Sequence, residues 1–325
     1  RLETGQQKVR AAFMLFLYTL FGSLFMLVSF ITIYLASGST DILVLSHMYI
    51  EPSAQRLLWL GIFLALAIKT PLLPLHIWLP LAHTEAPLAG SILLAALVLK
   101  MPIYAFLRIL LPILPDGSHY FTPLVYTLCV ISIVYSCFST LRQINLKSIV
   151  AYSSIGHLAI CVLGVFSNSV QGIEGGIYLG LGHGLVSPAL FICVGILYDR
   201  YHSLIIHYYR GVAAMKPVFA FLFFIFILAN MAAPLTANFI GEFLCFLGSF
   251  HRNPAATLLA TSSVVLVASY SIWLYNRVCF GSFSPYLKPL SDLNRREFYV
   301  LLPLLVLTIL LGIISNIVLD CLHVP

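Results

Sequence analysis

Two lysines lie where an apolar membrane segment tolerates a cation least. Lys69 interrupts the apolar run 57–75, and Lys100 interrupts the run 88–107. A cation at the middle of a membrane helix costs about 2.5–3.5 kcal/mol on insertion scales, so such residues are rare and mark charge pathways. Further ionisable side chains lie in or beside the apolar runs, and these are His76, His83, Glu85, His157, His183 and Glu242.

The chemistry that suits these residue types is a proton relay. An amine must lose its proton before it can pass one on, and desolvation favours the neutral amine whereas a nearby carboxylate favours the ammonium. Glu242 is the one carboxylate deep in an apolar run, and a change in its position or charge could switch a buried lysine between holding and releasing a proton. Histidine titrates near neutrality and suits an intermediate station. The residues predict a charge-relay line along the membrane midplane.

The same residues also have structural interpretations. Lys100 could extend its ammonium to the membrane surface, although it lies about twelve residues from either end of its run. Lys69 could reach a lipid headgroup along a bent helix. His157 could be a hydrogen-bonded core histidine, and His76 could be an interfacial residue beside Trp78.

Composition indicates a polytopic membrane protein. Of 325 residues, 61% are hydrophobic and 9% are charged, with a mean hydropathy of +1.01, whereas a soluble domain carries about 25% charged residues. The apolar runs are long and lack period-two alternation, which favours helices over a barrel. We expect an all-α transmembrane helical bundle of about nine helices, at residues 11–35, 56–75, 88–112, 121–140, 147–167, 172–198, 217–248, 256–281 and 297–320.

Several other function classes lack their signatures. The net charge of +6 is spread along the chain without a basic stripe, which argues against a nucleic-acid partner. The seven cysteines are isolated and lack metal-ligand spacing, so we interpret them as small buried apolar residues. Motifs of hydrolases, nucleotide-binding proteins and metalloproteases are not found in the sequence, and no redox ligand set is visible.

Basic residues predict the orientation of the spans. Alternating the loops across nine spans puts twelve lysines and arginines on one side, called side one, and three on the other, called side two. By the positive-inside rule, side one faces the matrix or cytoplasm. The side-one residues are Arg1, Lys8, Arg10, Arg142, Lys147, Arg200, Arg210, Lys216, Arg277, Lys288, Arg295 and Arg296, and the side-two residues are Arg56, Arg108 and Arg252.

Three spans are predicted to be broken helices: the second beside Lys69, the sixth around His183 and the seventh before Glu242. Proline removes a backbone donor, and broken helices at membrane depth line cavities and offer charged ends to ions; ordinary proline kinks are the alternative. Glycine at every fourth position from Gly172 to Gly184 also predicts close helix packing. The breaking residues are Pro71, Pro74 and Pro80, then Gly180, Gly182, Gly184 and Pro188, and finally Pro234.

Four long stretches, in order along nearly the whole chain, are similar to one membrane protein family. Ile68–Lys100, Thr140–Leu158, Gly180–Phe191 and Leu228–Phe243 resemble the antiporter-like proton-pumping subunits of respiratory complex I, the NADH:ubiquinone oxidoreductase, in their mitochondrial chain 4 branch. The resemblance implies proton translocation coupled to electron transfer from NADH to ubiquinone, in the mitochondrial inner membrane. It implies no cofactor in this chain, with FMN, iron–sulfur clusters and quinone held elsewhere in the complex.

The resemblance also implies roles for individual residues. Lys69 matches the lysine of the first broken helix, which pairs with a glutamate two helices earlier in the family. Lys100 matches the next lysine of the polar axis, His157 and His183 match its central stations, and Glu242 matches the acid of the second broken helix. Secondary relay residues are His76, His83 and Glu85.

The family has about fourteen helices in two inverted five-helix repeats, each with one broken helix. The nine spans here resemble the sixth to fourteenth. Residues 1–120 are then the remainder of the first repeat with three helices, 121–281 the second repeat with five helices, and 282–325 a C-terminal helix, with 1–10 as a loop. The implied partners are neighbouring membrane-arm subunits, lipids such as cardiolipin, and a separate polypeptide that carries helices one to five and the acid partner of Lys69, unless the chain is a fragment.

The sequence is also compatible with two other functions. One is a subunit of a multi-subunit cation/proton antiporter, which shares the lysine motifs and would show sodium-dependent transport. The other is a purely structural membrane-arm subunit, in which loss of Lys69 or Lys100 would leave proton pumping intact.

Overall fold

The computed structural model describes residues 2–286 and 291–322, so Arg1 and Lys288 of the predicted side-one set lie outside it. The described residues form helices and no strand, with one isolated bridge between Asn145 and Ile205, which confirms the all-α prediction. The helices are α1 Leu2–Ser37, α2 Ile42–His47, α3 Pro52–Lys69, α4 Trp78–Glu85, α5 Leu88–Ile113, α6 Pro115–Arg142, α7 Leu146–Val165, α8 Val170–Tyr201, α9 Val212–Met215, α10 Pro217–Asn230, α11 Ala237–Arg252, α12 Pro254–Cys279, α13 Arg295–Ile313 and α14 Asn316–Leu322.

The predicted spans correspond to these helices in two ways. In the described part of the chain, seven helices are long and apolar enough to cross a membrane: α1, α5, α6, α7, α8, α12 and α13. The second and seventh spans are each built from two shorter helices, α3 with α4 and α10 with α11. The central pair, α7 and α8, is the most deeply buried of the long helices.

The first predicted loop is wrong. Residues 2–10 extend α1 as helix, since this polar stretch consists mostly of good helix formers such as leucine, glutamate, glutamine, lysine and arginine. Polarity alone therefore did not indicate a loop.

The break in the second span is confirmed. α3 ends at Lys69, and the prolines of 70–77 prevent the helix from continuing before α4. Side chains bind the backbone groups that the break leaves free, since the Trp78 indole donates to the Ile68 carbonyl at 2.9 Å and the Leu73 amide donates to a serine hydroxyl of α6 at 2.9 Å. The unwound segment is thus held in a protein interior.

The break in the seventh span is also confirmed. Residues 231–236 separate α10 from α11 and contain Pro234. Ala232 and Leu235 take left-handed backbone angles, with φ of 54° and 72°, which end the first helix and turn the chain into the second. Glu242 lies in α11, past this break.

The predicted break in the sixth span is wrong, because α8 runs from Val170 to Tyr201 without interruption. Pro188 removes one backbone donor, but α8 packs between α5, α7 and α11, and this packing keeps the helix intact. The glycines of α8 allow neighbouring helices to approach closely, as predicted. A Cβ on Gly248 of α11 would lie 2.4 Å from Gly172 Cα of α8.

The loop contacts follow the predicted sides of the membrane. Loops assigned to side one meet at the Asn145–Ile205 bridge. Residues assigned to side two meet where Arg252 Nη2 lies 3.0 Å from His119 Nε2. Arg56 of the same side lies over a tyrosine ring from the α5–α6 end of the bundle.

Charged side chains at side one connect α8 and α10 to α13 and to the segment before it. Arg200 at the end of α8 donates to both carboxylate oxygens of Glu297, at 2.7 and 3.0 Å. Asp292 accepts from the Val218 and Phe219 amides at 2.9 and 3.2 Å. An acid at the first turn of α10 satisfies donors that the helix leaves free.

Lys216 is buried in this cluster. Its side chain is 1% exposed, and its ammonium donates to the Ser291 carbonyl at 3.1 Å and lies 5.2 Å from the Tyr201 ring centre. Burial, together with the nearby Arg200 guanidinium, lowers the pKa of Lys216 to about 8, although Asp292 and Glu297 oppose this effect.

Candidate functional site

α5 is locally unwound at Lys100. Two π-helical segments, Leu94–Val98 and Phe106–Leu110, lie on either side of a turn at this lysine. Pro102 supplies part of the reason, since it has no amide to donate to the preceding turn. Such π segments are frequent at functional sites.

The unwinding gives the Lys100 ammonium a partner. The Leu99 amide donates to the Leu94 carbonyl, and the Lys100 amide donates to the Leu97 carbonyl. Neither amide reaches the Ala95 carbonyl, which instead accepts a short hydrogen bond from Lys100 Nζ. The ammonium of Lys100 therefore has a hydrogen-bond acceptor in the adjacent turn of its own apolar helix.

Lys100, which is partly buried, is one end of a line of ionisable side chains whose other members are buried. Its Nζ lies 2.9 Å from His183 Nδ1, and the His183 and His157 rings are 5.4 Å apart between centres. His157 Nδ1 lies 2.7 Å from Glu242 Oε1. His183, His157 and Glu242 are 0%, 1% and 6% exposed. These four residues form what we call the relay line.

The donor and acceptor roles of neighbouring side chains determine where the protons lie along the relay line. When Lys100 is an ammonium, His183 Nδ1 must accept, so a neutral His183 carries its proton on Nε2. When Glu242 is a carboxylate, His157 Nδ1 must donate. The Nε2 atoms of both histidines are buried and have no partner among the described residues. His183 Nε2–H is thus a donor, and Nε2 of a neutral His157 is an acceptor.

A glycine allows two of the four helices of the line, α8 and α11, to approach closely. A Cβ on Gly241 of α11 would lie 2.6 Å from Leu179 Cα of α8. This close approach lets short polar side chains of the two helices meet in the protein interior.

Lys69 is not part of the relay line. It is the last residue of α3 and is partly buried, and its ammonium forms no hydrogen bond or ion pair within residues 2–286 and 291–322. His76 lies in the break that follows. It is buried, 7% exposed, with its ring 5.5 Å from Tyr135 and 6.3 Å from Tyr152. The His76 ring therefore packs between tyrosines inside the protein.

His83 and Glu85 lie near Lys147, which the charge distribution placed on side one. His83 is fully buried, and its ring stacks on Phe191 at 4.5 Å between centres. Lys147 is only 7% exposed at the first turn of α7, where its Nζ donates to the Ala86 carbonyl at 2.8 Å and interacts electrostatically with Glu85. The signal for Lys147 was weak, because its neighbours in sequence resemble those of a surface helix cap.

A second residue missed on the sequence is Asn238. It is fully buried in α11, one turn before Glu242, and neither atom of its amide has a partner in the described part of the chain. A Cβ on Gly182 would lie 2.7 Å from Asn238 Oδ1, so glycine beside His183 leaves room for this amide. The sequence feature that could have indicated Asn238 is an asparagine inside an otherwise apolar helix.

The described residues contain no group of three or more histidine, cysteine or acidic side chains arranged to hold a metal ion. The chemistry that the arrangement supports is proton transfer between nitrogen and oxygen atoms of its own side chains.

Comparisons with known proteins identify related sequences and folds. Residues 2–267 match the family described as NADH:quinone oxidoreductase/Mrp antiporter, transmembrane. The chain is 57% identical over 317 residues to NADH-ubiquinone oxidoreductase chain 4 of Mycosarcoma maydis, and 49% identical over 319 residues to that of Marchantia polymorpha. These alignments cover 97% and 98% of this chain but 66% and 64% of the relatives, so the chain spans just under two thirds of their length.

Solved structures agree with this assignment. A chain of respiratory complex I from Thermus thermophilus with bound NADH matches with a TM-score of 0.91 and 33% identity, over 97% of this chain and 67% of that one. A chain of the Mrp complex from Dietzia sp. DQ12-45-1b matches with a TM-score of 0.88 and 20% identity, over the same shares. The second likeness concerns the fold alone.

Proposed function

This chain belongs to the NADH:quinone oxidoreductase/Mrp antiporter transmembrane family, and we propose that it translocates protons as a membrane subunit of an NADH:ubiquinone oxidoreductase. The names of its relatives support this electron-transfer partner. By the same resemblance we place it in the mitochondrial inner membrane beside other membrane-arm subunits and anionic lipids such as cardiolipin. Redox chemistry then takes place in other subunits.

The observation that carries the proposal is the relay line. Three buried ionisable side chains, from α7, α8 and α11, and the partly buried Lys100 of α5 are linked by two short polar contacts and one pair of neighbouring imidazoles. Burying a charge costs several kcal/mol unless it is paired. A purely structural role would be served better by apolar residues of similar volume.

One proton-transfer step follows from the proton assignments. Lys100 gives a proton to His183 Nδ1, and His183 gives its Nε2 proton to His157 Nε2 once the two imidazoles, whose centres are 5.4 Å apart, turn these atoms toward each other. The products are a neutral Lys100 amine, a His183 with its proton now on Nδ1, and a His157 imidazolium beside the Glu242 carboxylate. One positive charge has moved from α5 to α7, and no proton has been created or lost.

The required energy is modest. Moving one charge across 100 mV takes about 2.3 kcal/mol, and a hydrogen bond to a charged group contributes about 1.5–3 kcal/mol. A shift in the charge or position of Glu242, imposed by a neighbouring subunit, is therefore sufficient to drive the step. The direction of the proton along the line depends on which end is perturbed.

Lys69 needs a partner outside the relay line. Since it has no ion pair among the described residues, we propose that an acidic side chain from elsewhere in the assembled complex lies within salt-bridge distance of its ammonium. A structure of the complex without an acid near Lys69 would contradict this.

The test of the function is Lys100→Met in the intact membrane complex, with proton uptake and NADH oxidation measured on the same vesicles. We expect normal assembly and a loss of this subunit's share of proton translocation. Lys8→Met is the control, because Lys8 is exposed on α1. A complex with Lys100→Met that assembles and pumps like wild type would refute the proposal, and sodium-dependent transport would indicate a cation antiporter instead.

A further inference from the structure

His83 is a buried imidazole whose ring stacks on the ring of Phe191. Its ring lies nearly parallel to that of Phe191, with 12° between the planes and 4.5 Å between the centres. Both ring nitrogens are buried, and neither has a partner among the described residues. Buried polar groups are normally hydrogen-bonded, so an imidazole with two unpartnered nitrogens calls for an explanation other than fold stability.

His83 lies between two lysines. On the side-one side, Lys147 Nζ donates to the carbonyl of Ala86, three residues past His83, at 2.8 Å. On the other side, Phe191, on which the His83 ring stacks, lies about two turns of α8 from His183, whose Nδ1 is 2.9 Å from Lys100 Nζ. The position of His83 is thus between the side-one surface and the relay line.

The stack permits one large motion of the imidazole. The terminal torsion of histidine is roughly two-fold, so a rotation by 180° returns the ring to the same plane and preserves the contact with Phe191. The same rotation carries Nδ1 from one edge of the stack to the other. No hydrogen bond to the described residues must break, since His83 makes none through its ring.

We propose that His83 carries protons from Lys147 at side one to Lys100, and that Phe191 is a positioning residue whose ring stacks on the imidazole in both of its flipped orientations. This rests on the proposed function. In the step, Lys147 gives a proton to neutral His83, the imidazolium flips, and it gives the proton to the neutral Lys100 amine. Water at side one then restores the Lys147 ammonium, and Lys100 is again ready to donate.

The test compares substitutions at the stack in the intact complex, using the initial rate of proton uptake and the thermal stability. Phe191→Leu keeps an apolar side chain but removes the stack, and Phe191→Tyr keeps the ring. We expect Phe191→Leu to lower the uptake rate about fivefold, equivalent to about 1 kcal/mol for a lost aromatic pair. Phe191→Tyr should restore the rate. Phe219→Leu is the control, since Phe219 is also a buried, stacked phenylalanine.

His83→Gln is the second variant, because glutamine keeps a polar side chain that cannot carry a proton. It should slow proton uptake at least as much as Phe191→Leu, and it gives an answer even if Phe191→Leu fails to assemble. A normal uptake rate for His83→Gln, or an equal loss for Phe191→Leu and Phe219→Leu, would overturn the inference. Normal pumping by Lys100→Met would instead refute the proposed function, so the two failures are distinct.

Discussion

Replacing Glu242 by glutamine should slow proton transfer along the relay line without unfolding the protein. Glutamine keeps the volume and one acceptor oxygen, but it removes the negative charge 2.7 Å from His157 Nδ1. A hydrogen bond to a charged group contributes about 1.5–3 kcal/mol, and a unit charge pair at 4 Å contributes about 4 kcal/mol at an effective dielectric constant of 20. A loss of about 3 kcal/mol makes a protonated His157 about 100-fold less favourable.

The assay is proton translocation by the intact complex in sealed vesicles, together with NADH oxidation and an assembly gel. We expect Glu242→Gln to assemble and to lose this subunit's share of pumped protons. Glu51→Gln is the matched control, because Glu51 is exposed and its side chain makes no cap hydrogen bond to α3. If Glu242→Gln pumped as many protons per electron as the control, the ion pair would have no role in transfer.

Two further predictions concern packing and pH. Gly248→Ala should destabilise the complex by about 1–3 kcal/mol through overpacking, because its Cβ would meet the Gly172 backbone at 2.4 Å; Gly5→Ala, which has no neighbour within 4 Å and lies in the helix α1, should not lower the melting temperature. Burial lowers the folded-state pKa of Lys216 to about 8 from 10.5, so the unfolded chain binds more protons between these values and stability should rise with pH across that window. Lys216→Met should lose this rise in a melting series; an identical pH dependence in both proteins would refute the assignment.

Much of the fold was predictable because proline and glycine have local effects. The breaks after Lys69 and at Pro234 follow from missing backbone donors, and both are present. The same reasoning failed for α8, where the surrounding helices hold Pro188 within a continuous helix. The π segments around Lys100 were not predicted, since they depend on which carbonyls the backbone leaves free.

The sequence predicted which residues could form the candidate site, but it did not predict how these residues are arranged. Charge in an apolar run singled out both lysines, but only Lys100 joins the relay line, because contact depends on how α5 packs on α8. Lys147 escaped notice since a lysine near a helix start is usually solvated, whereas here it is buried against the end of α4. Burial of this kind depends on tertiary packing, which local sequence does not encode.

If the relay line transfers protons, then Lys100, His183, His157 and Glu242 act as one path. The decisive measurement is the proton-to-electron ratio of the Lys100→Met/Glu242→Gln double variant, beside both single variants. Residues that act as a unit have non-additive effects, so we expect the double variant to lose no more than the more impaired single variant. Losses that add in the double variant would show two independent paths and would contradict the relay line.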